Sequence, residues 1–219
     1  YKPLIKQFWR EGLFESMDKR YYRLVDRSND MQDEVIWDEL NTRKVFNDFE
    51  KIFNNPSNVG HEAYFDKMTH FDFKCLLPAL LQVEDRMSMA HGLESRVPLL
   101  DHPIIEFAAT IPANIKFEDG NMKHMLKAVF KNNLPDKILN RRDKMGFPVP
   151  LKEWFSGEVR DFVLDTFSSI SAKNRSFMNT SAIINNFDKE AKFSRKAWGL
   201  LSLELWQQKF HDNAVEMKF

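Results

Sequence analysis

Residues 85–102 read DRMSMAHGLESRVPLLDH, and the whole reading turns on how this stretch changes character halfway. Met87, Met89 and Ala90 are good helix formers, so the first half continues a helix that Pro78 can open in its first turn and that runs to about His91. Gly92 then intervenes. Pro98 disfavours helical geometry at Val97 and pushes that residue toward an extended one. In an extended segment Glu94 and Arg96 face one side, and Leu93, Ser95 and Val97 the other. An acid and a base therefore project together from an irregular segment anchored by Leu99 and Leu100. Asp101 is placed to cap the next helix, with Pro103 in its first turn and Glu106 near its positive end. Two readings of Glu94 and Arg96 stand side by side: a structural ion pair tying the loop to its helix, or a polar wall of an active-site cleft.

Working outward, helical periodicity dominates. Leu4, Ile5, Phe8, Trp9 and Leu13 recur at near-helical spacing, and residues 30–54 carry a second set from Val35 to Phe53 that suits one or two helices. The run NNPSNVG (54–60) reads as a loop. The helix before His91 is expected to bury Leu80, Leu81, Met87 and Ala90, and the helix after Asp101 to bury Ile104, Ile105, Phe107, Ala108 and Ile111. IKFEDGN (115–121) reads as a short extended piece and a turn. Met122 to about Asn132 reads as a helix with Met125, Leu126, Val129 and Phe130 inward. Gly146, Pro148 and Pro150 keep 141–150 irregular, and helices near 151–168, 180–192 and 194–212 finish the chain. The last, with WGLLSLELWQQKF, is apolar nearly all round, as expected of a buried or interfacial helix. No strand-length alternation of β-branched residues occurs, so the chain reads as mostly α. It is expected to form a single helical region over 1–219: N-terminal helices in 1–60, a motif-bearing cleft region in 61–150, and C-terminal helices in 151–219.

Bulk composition narrows the function. Lysine plus arginine and aspartate plus glutamate balance at 32 each, so no global field draws the chain to nucleic acid or an anionic membrane. No apolar run approaches the ~20 residues of a membrane span. The single cysteine, Cys75, rules out an internal disulfide and lies in the apolar run Cys75-Leu76-Leu77, where a buried, inert thiol is expected. These features point to a cytoplasmic protein. Glycine is scarce, and no Gly-rich phosphate loop occurs.

Other residues that can carry chemistry are few. Lys123 opens a helix after Asp119-Gly120-Asn121; it is either a solvated surface lysine or one that meets an anion. Arg141, Arg142 and Lys144 form a basic loop that can grip a carboxylate or phosphate, or simply stay solvated. His61, Glu62, Asp66 and His70 have liganding side chains but not the spacing of a metal site, and no metal site is expected.

Three blocks nevertheless stand in order: DRMSMAHGLESRVPLLDH (85–102), MKHMLKAVF (122–130) and RRDKMGFPVP (141–150), the last followed by Trp154. Their succession resembles the synthetase domain of glutamine-dependent asparagine synthetases, whose blocks run D-R-x-S-M-A-x-x-x-E-x-R-x-P-x-L-D, then a lysine-led helix, then R-x-K-x-G-F-x-x-P. The match covers roughly residues 64–210. It departs by one extra residue in the first block, and by His124 where a hydrophobic or aromatic residue is expected.

The resemblance implies a fold and a reaction. The fold is the helical C-terminal portion of an α/β synthetase domain of the adenine-nucleotide-hydrolase-like, PP-loop ATP pyrophosphatase type. The reaction is ATP- and Mg2+-dependent formation of asparagine from aspartate and glutamine-derived ammonia through a β-aspartyl-adenylate. Glu94 matches the family's acid at the intermediate, and Lys123 the lysine that stabilises phosphate charge. Asp85, Arg86, Arg96, Asp101, Arg142 and Lys144 match positions around the cleft. The family's Ser-Gly-Gly-x-Asp-Ser loop, its following Gly-rich acidic block and its N-terminal cysteine nucleophile are absent. The resemblance therefore implies a C-terminal part of a longer synthetase, inactive alone, whose partners are the N-terminal synthetase half and a glutaminase domain; a homodimer is compatible with it. A related ligase acting on another carboxylic acid, as in β-lactam ring closure, and a non-catalytic helical interaction module are the alternatives.

Overall fold

The computed structural model describes residues 12–116, 118, 121, 123–141, 143, 149–189 and 194–213. Among them the regular structure is helical, apart from one isolated antiparallel bridge between Val35 and Met178. No helix among these residues is long and apolar enough to cross a membrane. The chain divides into two compact units, Tyr1–Leu24 with Phe46–Lys144 and Val25–Val45 with Met145–Phe219.

Aromatic rings pack three helices of the first unit together. Helices α1 (Met17–Val25), α2 (Thr42–Phe53) and α3 (Tyr64–Phe71) bring Tyr21 onto Phe53 at 5.3 Å, Phe53 onto Phe49 at 5.2 Å and Phe71 edge-on to Phe49 at 4.9 Å between ring centroids. Phe49 and Phe53 lie one helical turn apart, so one face of α2 delivers both. Each such pair contributes about 0.5–1.5 kcal/mol beyond the area it buries.

A buried polar chain runs beside the rings. The Lys67 Nζ donates to Asn54 Oδ1 at 2.8 Å, and Asn54 Nδ2 donates to Asp18 Oδ2 at 2.9 Å. Asp18 also accepts from the Ser16 hydroxyl and from the Lys19 backbone N–H. Burial raises the Asp18 carboxyl, but these donors, Ser16 first, outweigh it and hold the carboxyl below its ordinary value. Tyr21 donates its hydroxyl to Asp72 at 3.3 Å, and burial together with the Asp72 charge pushes the phenol up to about 12.

Asp72–Leu76 is a π-helical turn joining α3 to α4 (Leu77–Met89) without a break. The short apolar run around Cys75 is thus a helix defect of the kind that accompanies functional sites. Cys75 is half-buried, and burial, then Asp72, raises its thiol, in keeping with an unreactive cysteine.

The expected apolar stripes of this unit are not covered by the described residues. Leu80 is 59 %, Val83 65 % and Met87 64 % exposed on α4. Ile104 and Phe107 on α5 (His102–Thr110), and Leu126, Val129 and Phe130 at the next helices, are exposed as well. Periodicity reports which face is apolar; it does not supply what packs on it. Two local expectations also change. Ile115 and Lys116 end a helical turn, α6 (Ala113–Lys116), rather than opening an extended piece. The helix expected from Met122 begins at His124, as α7 (His124–Val129).

The second unit has the conventional core. Val163 and Phe167 on α10 (Arg160–Ser168) are fully buried one turn apart. They pack with Ala197, Leu200 and Leu201 of α13 (Lys196–Gln207), and with Ile183 and Phe187 from and just after α12 (Thr180–Asn186). The helix expected over 151–168 is two, because α9 (Leu151–Ser156) stops at Gly157. Between α10 and α12 lies the short α11 (Ile170–Lys173), capped by the Ser169 hydroxyl.

The last helix is not apolar all round. Glu204 shares the Ala197–Leu200–Leu201 face and has no exposure, yet Arg175 meets it twice, Nε to Oε2 at 3.0 Å and NH2 to Oε1 at 3.2 Å. Gln208 donates a third bond at 2.9 Å. Arg175 also grips Asp212, at 2.5 and 2.9 Å. A second buried acid, Glu34, is met by Lys196 at 2.6 Å and Asn186 at 3.0 Å, which ties residues 34–36 to the helices.

Candidate functional site

The candidate residues that are described all belong to the first unit, on the segment from α4 to α8 (Asp136–Leu139) and just beyond it. The key transition follows α4. Gly92 N–H donates to the Met89 carbonyl and Leu93 N–H to the Ser88 carbonyl, both at 3.0 Å. Gly92 has φ +68°, and this pair of bonds is the Schellman helix stop. A side chain at Gly92 would meet nothing within 4 Å, so the glycine is required by its backbone conformation and not by crowding.

Residues 93–97 then run without regular structure to the 3-10 turn Pro98–Leu100. Glu94 and Arg96 do lie on one side: Arg96 NH2 is 2.9 Å from Glu94 Oε1, with side chains 78 % and 68 % exposed. The Ser95 hydroxyl donates to Glu84 of α4 at 3.3 Å. Ser95, not the ion pair, thus ties this loop to its helix. An ion pair this exposed contributes about 0–1 kcal/mol. Asp101 caps α5, its carboxylate accepting the His102 N–H at 3.0 Å.

Asp85 and Arg86 sit exposed in the last turns of α4. Lys123 occupies the cap position before α7 with φ 60° and ψ 29°, the one positive φ of a residue other than glycine among the described residues. The left-handed conformation costs a side-chain-bearing residue roughly 1–2 kcal/mol. Such conformations gather at active sites and ligand clamps. Its successor His124 places Nε2 2.7 Å from Glu118 Oε2.

In the third block Arg141 donates to Asp143 at 3.1 Å, and that bond holds the Asp143 carboxyl below its ordinary value. Arg142 and Lys144 lie outside the described residues. No group of three or more histidine, cysteine, aspartate or glutamate residues suited to a metal occurs among the described residues. Sequence reasoning passed over the partners of Glu84 and Glu118, whereas the helix stop at Gly92 was expected. Gly92 carried a usable signal, a glycine directly after helix formers; Glu84 and Glu118 carried none, because their partners are set by the turn of the chain.

Comparison with known proteins follows the same segment. The profile of the family described as Asparagine synthase matches residues 2–208. The chain is 28% identical over 184 residues to asparagine synthetase [glutamine-hydrolyzing] 1 of Bacillus subtilis strain 168, covering 82% of this chain and 27% of that protein. It is 43% identical over 109 residues to asparagine synthetase [glutamine-hydrolyzing] 3 of the same organism, covering 48% of this chain and 18% of that protein. A putative asparagine synthetase of Mycobacterium tuberculosis strain H37Rv is 30% identical over 155 residues, covering 68% of this chain and 23% of that protein. The matches thus span about a fifth to a quarter of these relatives' length. No solved structure matches the chain.

Proposed function

The chain belongs to the asparagine synthase family, and from that premise we propose that it forms part of an ATP-dependent synthetase that converts aspartate to asparagine. The observation that carries this reading is the family match over residues 2–208, which includes every candidate site residue.

In the proposed reaction a β-carboxylate oxygen of aspartate attacks the α-phosphorus of ATP. Pyrophosphate leaves, and a β-aspartyl-adenylate forms. Ammonia released from glutamine then attacks the acyl carbon, and AMP departs. Phosphoryl chemistry of this kind is chiefly the placement of charge. Lys123 supplies an ammonium toward the phosphates, with Mg2+ accompanying the nucleotide. Glu94 stands at the adenylate, where its carboxylate can accept a proton from the attacking ammonia. Arg96 orients Glu94, and Arg142 and Lys144 add positive charge to the cleft.

The remainder of the cleft comes from polypeptide carrying a pyrophosphate-binding loop, with ammonia supplied by a glutaminase domain. The uncovered apolar side chains Leu80, Val83 and Met87, at helical spacing on one face of α4, support this part of the reading, because exposed apolar patches mark surfaces that pack against other polypeptide.

Aspartate-dependent exchange of labelled pyrophosphate into ATP tests the proposal, measured on the longest natural form of the protein. Lys123→Ala should lower the exchange by about a hundredfold while glutaminase activity persists. Exchange at the wild-type rate in that variant removes Lys123 from the reaction.

A further inference from the structure

We propose that Glu118 and His124 form a clasp that holds Lys123 in its left-handed conformation, and so act as positioning residues for this lysine. The inference rests on the reading of Lys123 as the lysine that meets phosphate.

A lysine gains nothing of its own from a positive φ, because its side chain makes no local hydrogen bond that would favour it, unlike asparagine or aspartate. A residue persists there only where its surroundings impose the conformation. On its C-terminal side Lys123 is fastened by helix α7, since its carbonyl accepts the Lys127 N–H at 3.0 Å. On its N-terminal side Asn121 N–H donates to the Glu118 carbonyl at 3.0 Å. The side chains of Glu118 and His124 join these two sides directly. Nε2 of His124 lies 2.7 Å from Glu118 Oε2, ion-pair distance between an imidazole and a carboxylate.

The contact spans from five residues before Lys123 to one after it, so it constrains the path of the backbone through that residue. Both side chains keep solvent contact, with His124 at 34 % and Glu118 at 61 % exposure, so the clasp shares the cost of the conformation with these two backbone bonds and does not carry it alone. Returning φ from 60° to the helical value near −63° would turn the lysine by roughly 120° relative to the chain that precedes it. An ammonium aimed at a phosphate would then miss it.

The test has two arms. In the chain described here, nuclear magnetic resonance reads the sign of φ at residue 123 from the intraresidue amide-to-Hα contact and the backbone carbon shifts. Wild type, His124→Gln (which keeps an N–H near Nε2) and Glu118→Gln (which keeps an acceptor) should show the left-handed signature. His124→Leu and Glu118→Ala should lose it. Retention of the signature in both of these overturns the clasp, whatever the activity.

The second arm is pyrophosphate exchange in the longest natural form. His124→Leu should lower kcat about tenfold with KM for ATP unchanged, and His124→Gln should restore most of it. Loss of exchange in Lys123→Ala together with full rates in His124→Leu and Glu118→Ala also overturns the clasp. Full exchange in Lys123→Ala overturns instead the reading of the lysine, and the resonance arm still decides whether the clasp exists.

Discussion

Arg96 reaches back past Ser95 to Glu94, guanidinium to carboxylate at 2.9 Å, with both side chains largely in water. A pair so exposed contributes little to folding, so its cost and its use can be separated. Glu94→Gln should change unfolding free energy by less than about 0.5 kcal/mol, as surface substitutions do. Under the proposed reaction it should cut asparagine formation by about a hundredfold. Urea denaturation and a steady-state assay check the two halves, and a large loss of stability would return the pair to a structural role.

Gly92 is predicted to matter through its backbone alone. Gly92→Ala meets no atom within 4 Å but must adopt φ +68°, so it should destabilise the unit by about 1 kcal/mol. Equilibrium urea unfolding measures this. A neutral result would mean that the helix stop re-forms without the left-handed residue.

Arg175 should prove the most sensitive polar residue of the second unit. Arg175→Ala leaves the fully buried Glu204 without its arginine, and removal of one partner from such a pair costs about 3–5 kcal/mol. Arg175→Lys keeps the charge but not the two-pronged geometry, and should fall between the two. Thermal and urea unfolding rank the variants; an alanine variant within about 1 kcal/mol of wild type would contradict the assignment.

Asp18 predicts an acid limb. Its folded carboxyl lies below its unfolded value of about 3.9, so the folded state binds fewer protons there and gains stability above that pH. This contribution is lost as pH falls through the depressed folded value. Asp18→Asn should be less stable than wild type at neutral pH, and the gap should narrow in acid. Urea unfolding at several pH values between roughly 2 and 6 follows it; a gap independent of pH would exclude the linkage.

Tyr21 predicts the opposite limb. A phenol raised to about 12, against about 10 when unfolded, contributes stability fully present below pH 10. As pH rises from 10 through 12 the contribution disappears, amounting to about 2–3 kcal/mol. Absorbance at 295 nm should show one late-titrating tyrosine that vanishes in Tyr21→Phe. A tyrosine titration complete near pH 10 would mean that Tyr21 is neither buried nor paired with Asp72.

What the sequence by itself determined are the features caused by neighbours in the chain. Gly92 after helix formers, Pro98 before Leu99-Leu100, and Asp101 ahead of Pro103 each act on backbone torsions within a few residues. The stop of α4, the irregular 93–97 segment with Glu94 and Arg96 on one side, and the cap of α5 were therefore legible. The three ordered blocks likewise sufficed to indicate the family. Only the tertiary structure decided which apolar faces are covered, leaving Leu80, Val83 and Met87 exposed while Val163 and Phe167 are sealed. It also decided that Glu204, in a helix that reads as apolar, is a buried acid met by an arginine 29 residues away. Such pairings depend on where distant segments are carried by loops and helix ends, and no local preference of the chain encodes that distance. The same holds for Lys123, whose residue type argues against a left-handed backbone that its surroundings nevertheless impose.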